Sequence, residues 1–477
     1  MGKIGKNYLL NTVYQLCAII VPLITAPYLT RVLMASNYGI YSYVQSTSAI
    51  VQTITLIGLY SYGNRQIAYK RDNPDELSQT FWELMYLRLI FGVISTVIYL
   101  VVSFASGYTF YFLLYYPFLL SNIIDCSWIY VGMENMAPCV VKNIIAKLLT
   151  MLGVFVLVRS TGDVWKYILL VAGSSLLCNL AVYAQLKEII KKPVIDKANI
   201  KNHIQGSIYL FLPQIASLIY LQMDKTMLGA ITGATNEVSF YDQAEKLVTI
   251  AFSFITAIST VMMPRLANEF YNGNEDKVEY YLTKVGKLSL AMAIPMMVGM
   301  MTIATKLVPW YLGDEYMPSA YVLIMISPLA VTNTLIGISG NQYFIATNKI
   351  KILTISNSIA AGCNLLLNAV LIPKFGYMGA AIATLVSSIL NVMIQFVNLN
   401  RFVKIKSMLV GSIRYLIMSL IMGGVIVAVT QCLQLKANIL TTMVQVVIGV
   451  LVFGIMLVIT KDELIVEVRN MVKSRKR

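Results

Sequence analysis

Apolar runs of about 20 residues or more recur along almost the whole chain, each ended by a short polar connection. At a rise of roughly 1.5 Å per residue, such a run crosses a bilayer as a helix. The first half predicts spans at 8–33, 40–62, 80–104, 108–131, 140–159 and 165–187. The second half predicts 206–230, 239–264, 282–304, 317–343, 350–373, 376–399, 410–432 and 438–460. The fold class is therefore all-α and polytopic, with about fourteen transmembrane helices. Pro22, Pro27, Pro213, Pro295 and Pro328 fall inside spans, where helices that bend against a cavity tolerate the lost hydrogen bond.

The longest polar connection, 187–205, separates six predicted helices from eight. It divides the chain into an N-terminal lobe (1–190), a cytoplasmic inter-lobe loop (191–205), a C-terminal lobe (206–400), and two extra helices with a basic cytoplasmic tail (401–477). The lobes look related. The first hairpin carries Arg31-Val-Leu-Met and then Tyr38-Gly-Ile-Tyr41; the hairpin after the midpoint carries Lys225-Thr-Met-Leu and then Val238-Ser-Phe-Tyr241. Duplicated halves with the substrate between them are a recurrent transporter plan.

Composition agrees with the pattern. The chain is 58% hydrophobic and 12% charged, with a mean hydropathy of +0.71; a soluble domain carries about 25% charged residues. The net charge of +15 does not point to nucleic acid, because Lys and Arg cluster in loops that alternate to one side. These include Arg65, Lys70, Arg71, Lys142, Lys187, Lys191, Lys192, Arg265, Lys349, Arg401, Lys404 and the tail KSRKR. The positive-inside rule then places both termini in the cytoplasm and requires an even number of spans, fourteen or twelve. The run from residue 8 to 33 is too long for a signal-peptide core and counts as the first span. Cys17, Cys126, Cys139, Cys178, Cys363 and Cys432 form no CxxC pair and read as small hydrophobes. His203, the only histidine, sits in a basic loop and reads as solvated. No metal or cofactor is called for.

No Walker loop, HExxH or GxSxG motif is present, and no loop is long enough for a catalytic domain, so the chain reads as no enzyme. What remains is charge inside the membrane, which costs roughly 2.5–3.5 kcal/mol per residue and so faces a cavity or a partner. Arg88, Asp125 and Lys147 share a depth toward the cytoplasmic end of the first lobe. They form either a structural ion pair or a net positive lining of a substrate path. A second group, Asp224, Lys225, Asp242, Glu245 and Lys246, lies near the outer leaflet, with Arg31 at a matching depth. There the alternatives are snorkelling to the interface and a cavity lining. Guanidinium and ammonium groups suit a lipid-linked pyrophosphate, whose charge must leave water to cross. Tyrosines such as Tyr108, Tyr111, Tyr115, Tyr116, Tyr209 and Tyr220 read as an interfacial belt or as stacking surfaces for sugar rings.

Several stretches, in order, carry a family likeness: Asn7-Tyr8 opening a long helix; Pro27-Tyr-Leu-Thr-Arg31; Gly63-Asn-Arg65-Gln-Ile-Ala; Asp125-Cys-Ser-Trp128 with Gly132-Met-Glu134; Asp224-Lys225-Thr-Met-Leu-Gly229; Tyr241-Asp-Gln-Ala244-Glu-Lys246; and Gly376-Tyr-Met-Gly379. Together they resemble the polysaccharide repeat-unit flippases (O-antigen and capsule, Wzx-type) of the multidrug/oligosaccharidyl-lipid/polysaccharide exporter superfamily. The resemblance implies two six-helix lobes around a central cavity plus two C-terminal helices. It implies transfer of undecaprenyl-pyrophosphate-linked oligosaccharide across a bacterial inner membrane by alternating access, with polysaccharide polymerase machinery as a partner. The substrate-binding candidates are Arg31, Arg65, Arg88, Asp125, Lys147, Asp224, Lys225, Glu245 and Lys246. The competing reading is a cation-coupled multidrug or metabolite exporter of the same superfamily. Against it, the first helix carries no Asp or Glu between Tyr8 and Leu33.

Overall fold

The structure is a computed structural model. It describes the backbone of residues 3–56, 58–192 and 195–462; side chains at 3–9, 197–198, 209–210, 212–214, 216–217, 219–220, 257–261, 264 and 407 lie outside the description. The chain divides into two compact units, Met1–Ser239 and Phe240–Arg477.

The first unit contains α1 (Lys3–Leu56), α2 (Leu59–Lys70), α3 (Pro74–Ala105), α4 (Thr109–Ile123), α5 (Ser127–Gly132), α6 (Ala137–Leu157), α7 (Val164–Ala184) and α8 (Lys197–Thr232). Two predicted spans lie end to end in α1, which turns sharply at Met34 (φ 62°, ψ 170°). Gly58, with φ 72°, then starts α2. Asn73 caps α3, its side chain accepting the backbone N–H groups of Asp75 and Glu76, and Pro74 supplies the first helical position. The expected fourth span is broken: α4 stops at Ile123 and α5 restarts at Ser127. Asp125 causes the restart, since its carboxylate accepts the backbone N–H (3.3 Å) and hydroxyl (2.5 Å) of Ser127.

The expected loop at 191–205 is partly helical, because α8 begins at Lys197. Ile200 and Ile204, four apart on one face, pack on a core made by Leu59, Phe81, Leu84, Trp128 and Ile129. That face is amphipathic rather than apolar throughout, so a hydropathy reading leaves it as a loop. Gly39 shows how closely α1 is approached: a Cβ there would collide with the backbone carbonyl of Thr235.

The second unit contains most of α9 (Thr235–Tyr271), then α10 (Glu275–Leu312), α11 (Met317–Ile326), α12 (Leu329–Ile336), α13 (Ile350–Leu399), α14 (Lys406–Leu409), α15 (Ser412–Cys432) and α16 (Ile439–Ile459). The predicted pair 350–373 and 376–399 is α13, which turns at Gly376 (φ 54°). The predicted span 317–343 bends by 46° between α11 and the α12 segment, whose last turns, Gly337–Ile345, are π-helical. Leu290, Ile294 and Val298 of α10 pack on Tyr415, Met418 and Met422 of α15 and on Phe453 of α16. Ten helical segments at most, among the described residues, are long and apolar enough to cross a membrane by composition alone.

Candidate functional site

The break between α4 and α5 creates a polar site inside the first unit. Asn122 lies in the last turn of α4, and its backbone carbonyl accepts two donors from Arg88 of α3: Nε at 3.0 Å and Nη2 at 2.6 Å. A cation at a helix C-terminus suits both the free carbonyls and the dipole there. Nη2 also lies 3.9 Å from the Asp125 carboxylate, so the predicted Arg88–Asp125 proximity is present. Arg88 is 1% exposed, and its Nη1 has no hydrogen-bond partner among the described residues.

The main partner of Asp125, however, is Lys142 of α6, whose ammonium also donates to Asn179 and to the Ser127 hydroxyl (2.5 Å). Asn179 of α7 in turn donates to the carbonyl (3.1 Å) and hydroxyl (2.5 Å) of Ser121 on α4. Helices α3, α5 and α6 thus meet at one carboxylate, itself 16% exposed, with α7 and α4 joined to it through Lys142, which is 7% exposed. Two cations meet one carboxylate, which leaves a local charge of +1 (two minus one). Sequence reasoning put Lys142 at the inner end of the span 140–159 and set Lys147, not Lys142, at the depth of Asp125. Pro138 sets the helix start at Ala137, so Lys142 is already inside α6. Lys147, one further turn along, is half-buried and is not a partner of Asp125.

The other candidates are dispersed. Asp224 and Lys225 are buried on α8. Next to them, Thr226 donates to Ser46 of α1 at 3.2 Å, and the Gly229 backbone lies against the Tyr43 ring. Arg31 is exposed on α1 and donates to the Pro27 carbonyl at 3.0 Å. Arg65 is exposed on α2, 5.8 Å from the Tyr62 ring centroid. In the second unit, Glu245 and Lys246 are half-buried on α9, and Lys246 pairs with Asp242 one turn back at 2.5 Å.

Among the described tyrosines of the expected belt, Tyr115 is buried while Tyr108, Tyr111 and Tyr116 are half-buried. Tyr115 is fully buried and stacks on Phe118 (4.9 Å), while Tyr41 and Tyr167 pack at 4.5 Å inside the first unit. Tyr108 and Tyr116 join the same aromatic core through Tyr43 (5.7 Å) and Tyr99 (5.8 Å). Tyr111 is half-buried against Phe110 (5.3 Å). The side chains of Tyr209 and Tyr220 lie outside the described residues. Cys126, Cys139 and Cys178 are buried as expected, but Cys17 and Cys363 are half-buried and Cys432 is exposed. No group of three metal-ligating side chains occurs among the described residues.

The second unit holds an apolar groove of about 550 Å³ between α10, α15 and α16. Met292, Met296, Met422, Val450 and Phe453 line it, and Gly299 and Gly454 leave it wide. Flexible methionines suit a long, conformationally varied apolar chain. Gln445 stands among them, donating to Thr430 at 2.9 Å.

Comparison with known proteins matches this architecture. Residues 4–270 match the family model described as "Polysaccharide biosynthesis protein", and residues 144–449 match "Lipid II flippase MurJ". The chain is 25% identical to the "Putative O-antigen transporter" of Escherichia coli strain K12 over 409 residues, covering 83% of this chain and 94% of that protein. It is 26% identical over 289 residues to the "Probable low-salt glycan biosynthesis flippase Agl15" of Haloferax volcanii, covering 60% and 59% of the two chains. In fold it is similar to a solved lipid II flippase MurJ structure, with TM-score 0.74 and 16% identity over 96% of this chain and 99% of that one. These relatives are named as transporters and flippases, not enzymes, and this chain is a multi-pass membrane protein of that transporter type. The chain belongs to the polysaccharide biosynthesis protein family, as a Wzx-type flippase of the multidrug/oligosaccharidyl-lipid/polysaccharide exporter superfamily.

Proposed function

We propose that this protein moves undecaprenyl-pyrophosphate-linked oligosaccharide repeat units from the cytoplasmic to the outer leaflet of a bacterial inner membrane, by alternating access, for O-antigen or capsule assembly. Both termini lie in the cytoplasm in this reading, and the polysaccharide polymerase machinery receives the product. The observation that carries it is the charge imbalance buried in the first unit, where Arg88 and Lys142 outnumber Asp125. A buried excess cation is costly unless an anion visits it. A pyrophosphate is such an anion, and Arg88 retains an unused donor to offer it. Lys225, buried on α8, is a third buried cation of the same unit; Arg31, Arg65, Lys147, Asp224, Glu245 and Lys246 are the other candidates. The apolar groove of the second unit supplies what a polyprenyl chain needs.

The test is a deletion strain whose lipid-linked sugars are extracted and identified by mass spectrometry. Accumulation of an undecaprenyl-pyrophosphate oligosaccharide with loss of surface polymer is the expected result. Intact polymer with no accumulation overturns the proposal and transfers the case to drug or metabolite export.

A further inference from the structure

The single histidine of the chain is not solvated. His203, on the first turns of α8, is 5% exposed and lies between two partners from other helices. Its Nε2 is 2.9 Å from the carboxylate of Glu83 on α3, and its Nδ1 is 3.0 Å from the hydroxyl of Tyr62 on α2. Glu83 is 0% exposed. Its other carboxylate oxygen accepts Gln79 Nε2 (2.8 Å), the backbone N–H of Asp196 (3.1 Å) and Asn199 Nδ2 (3.3 Å).

Every donor to Glu83 except His203 is neutral in all conditions. Among the described residues, no Lys or Arg pairs with this carboxylate. Among the described residues, the other charged groups facing the array are Arg65, exposed 5.8 Å from the Tyr62 ring, and Asp196 at the rim. A fully buried carboxylate without a cation is expensive. Only a proton on His203 supplies the missing charge in place. The geometry accepts that proton without rearrangement. With neutral imidazole, Nε2–H donates to Glu83 and the Tyr62 hydroxyl donates to Nδ1; with imidazolium, both ring N–H groups donate, and Tyr62 becomes the acceptor.

We propose that Glu83, His203 and Tyr62 form a proton-binding site, and that proton uptake tightens residues 195–206 onto α2 and α3. Those residues join the first six spans of the sequence to the rest, so their attachment governs how freely α8 moves. Protonation converts the His203–Glu83 hydrogen bond into a charge-assisted one, worth about 1 kcal/mol more, or roughly fivefold to tenfold in the opening equilibrium.

The test uses the full-length, tag-free protein in detergent, followed by hydrogen exchange from pH 5.5 to 8. Because the chain has one histidine, exchange of the imidazole C2 hydrogen reports His203 alone. Amide protection of peptides covering 195–206, taken relative to the intrinsic exchange rate at each pH, is expected to rise roughly fivefold to tenfold as pH falls, with the same midpoint as the C2 titration. His203→Gln, which keeps a donor and an acceptor but does not titrate, is expected to abolish that pH dependence. Should the variant lose protection throughout the protein, the wild-type comparison decides by itself. Amide protection that is flat with pH, or whose midpoint departs from the C2 midpoint by more than about one unit, or that persists in His203→Gln, overturns the proposal.

Discussion

Replacing Asp125 with alanine strands two buried cations. Removing one partner of a buried pair costs about 3–5 kcal/mol in general. Here the cost is smaller, because Arg88 keeps the Asn122 carbonyl and Lys142 keeps Asn179 and Ser127. About 2–4 kcal/mol is expected. Lys142→Met leaves Asp125 with Ser127 and with Arg88 at 3.9 Å, and about 1–3 kcal/mol is expected. The double variant removes both charges at once, so its cost falls short of the sum by about 1–3 kcal/mol. Buried Cys126 and Cys139 flank the site, so with Cys17, Cys178, Cys363 and Cys432 replaced by serine a thiol-reactive fluorophore reports its opening during thermal or denaturant unfolding in detergent. Costs that add within about 0.5 kcal/mol would show that Asp125 and Lys142 are not coupled, and would refute the assigned network.

Gly39→Ala forces a methyl against the Thr235 carbonyl and is expected to lower stability by about 1–3 kcal/mol, read from the same unfolding curves. Gly454→Trp has open space at its Cβ and fills the apolar groove; export of surface glycan should fall sharply while unfolding changes by less than about 1 kcal/mol. Lys225→Ala should reduce surface polymer in a complementation assay with membrane insertion unchanged, and normal polymer output would remove Lys225 from the substrate path.

The sequence yields most breaks between helices because they are written locally. The span ending at residue 33 meets a turn at Met34, and the expected division at 373–376 meets Gly376. The Arg88–Asp125 proximity was also legible, since rise per residue alone fixes depth. Neighbour choice was not. Lys142 reaches Asp125 because α6 starts at Ala137 and faces the α4–α5 break, a matter of packing across 17 residues of chain. His203 looked solvated because its partners are 120 and 141 residues away. Its helix face was hidden for a related reason: Ile200 and Ile204 alternate with polar residues, so mean hydropathy is low where burial is high.

Met34 sits at φ 62° and ψ 170°, a region that only glycine occupies at rest. Its side chain is largely exposed, so the tertiary fold holds the backbone there rather than the thioether. The residue is therefore a strained joint between the two helical stretches of α1, storing about 1–3 kcal/mol. Met34→Gly discharges it. The variant should be more stable by less than that amount, because glycine also raises the entropy of the unfolded chain.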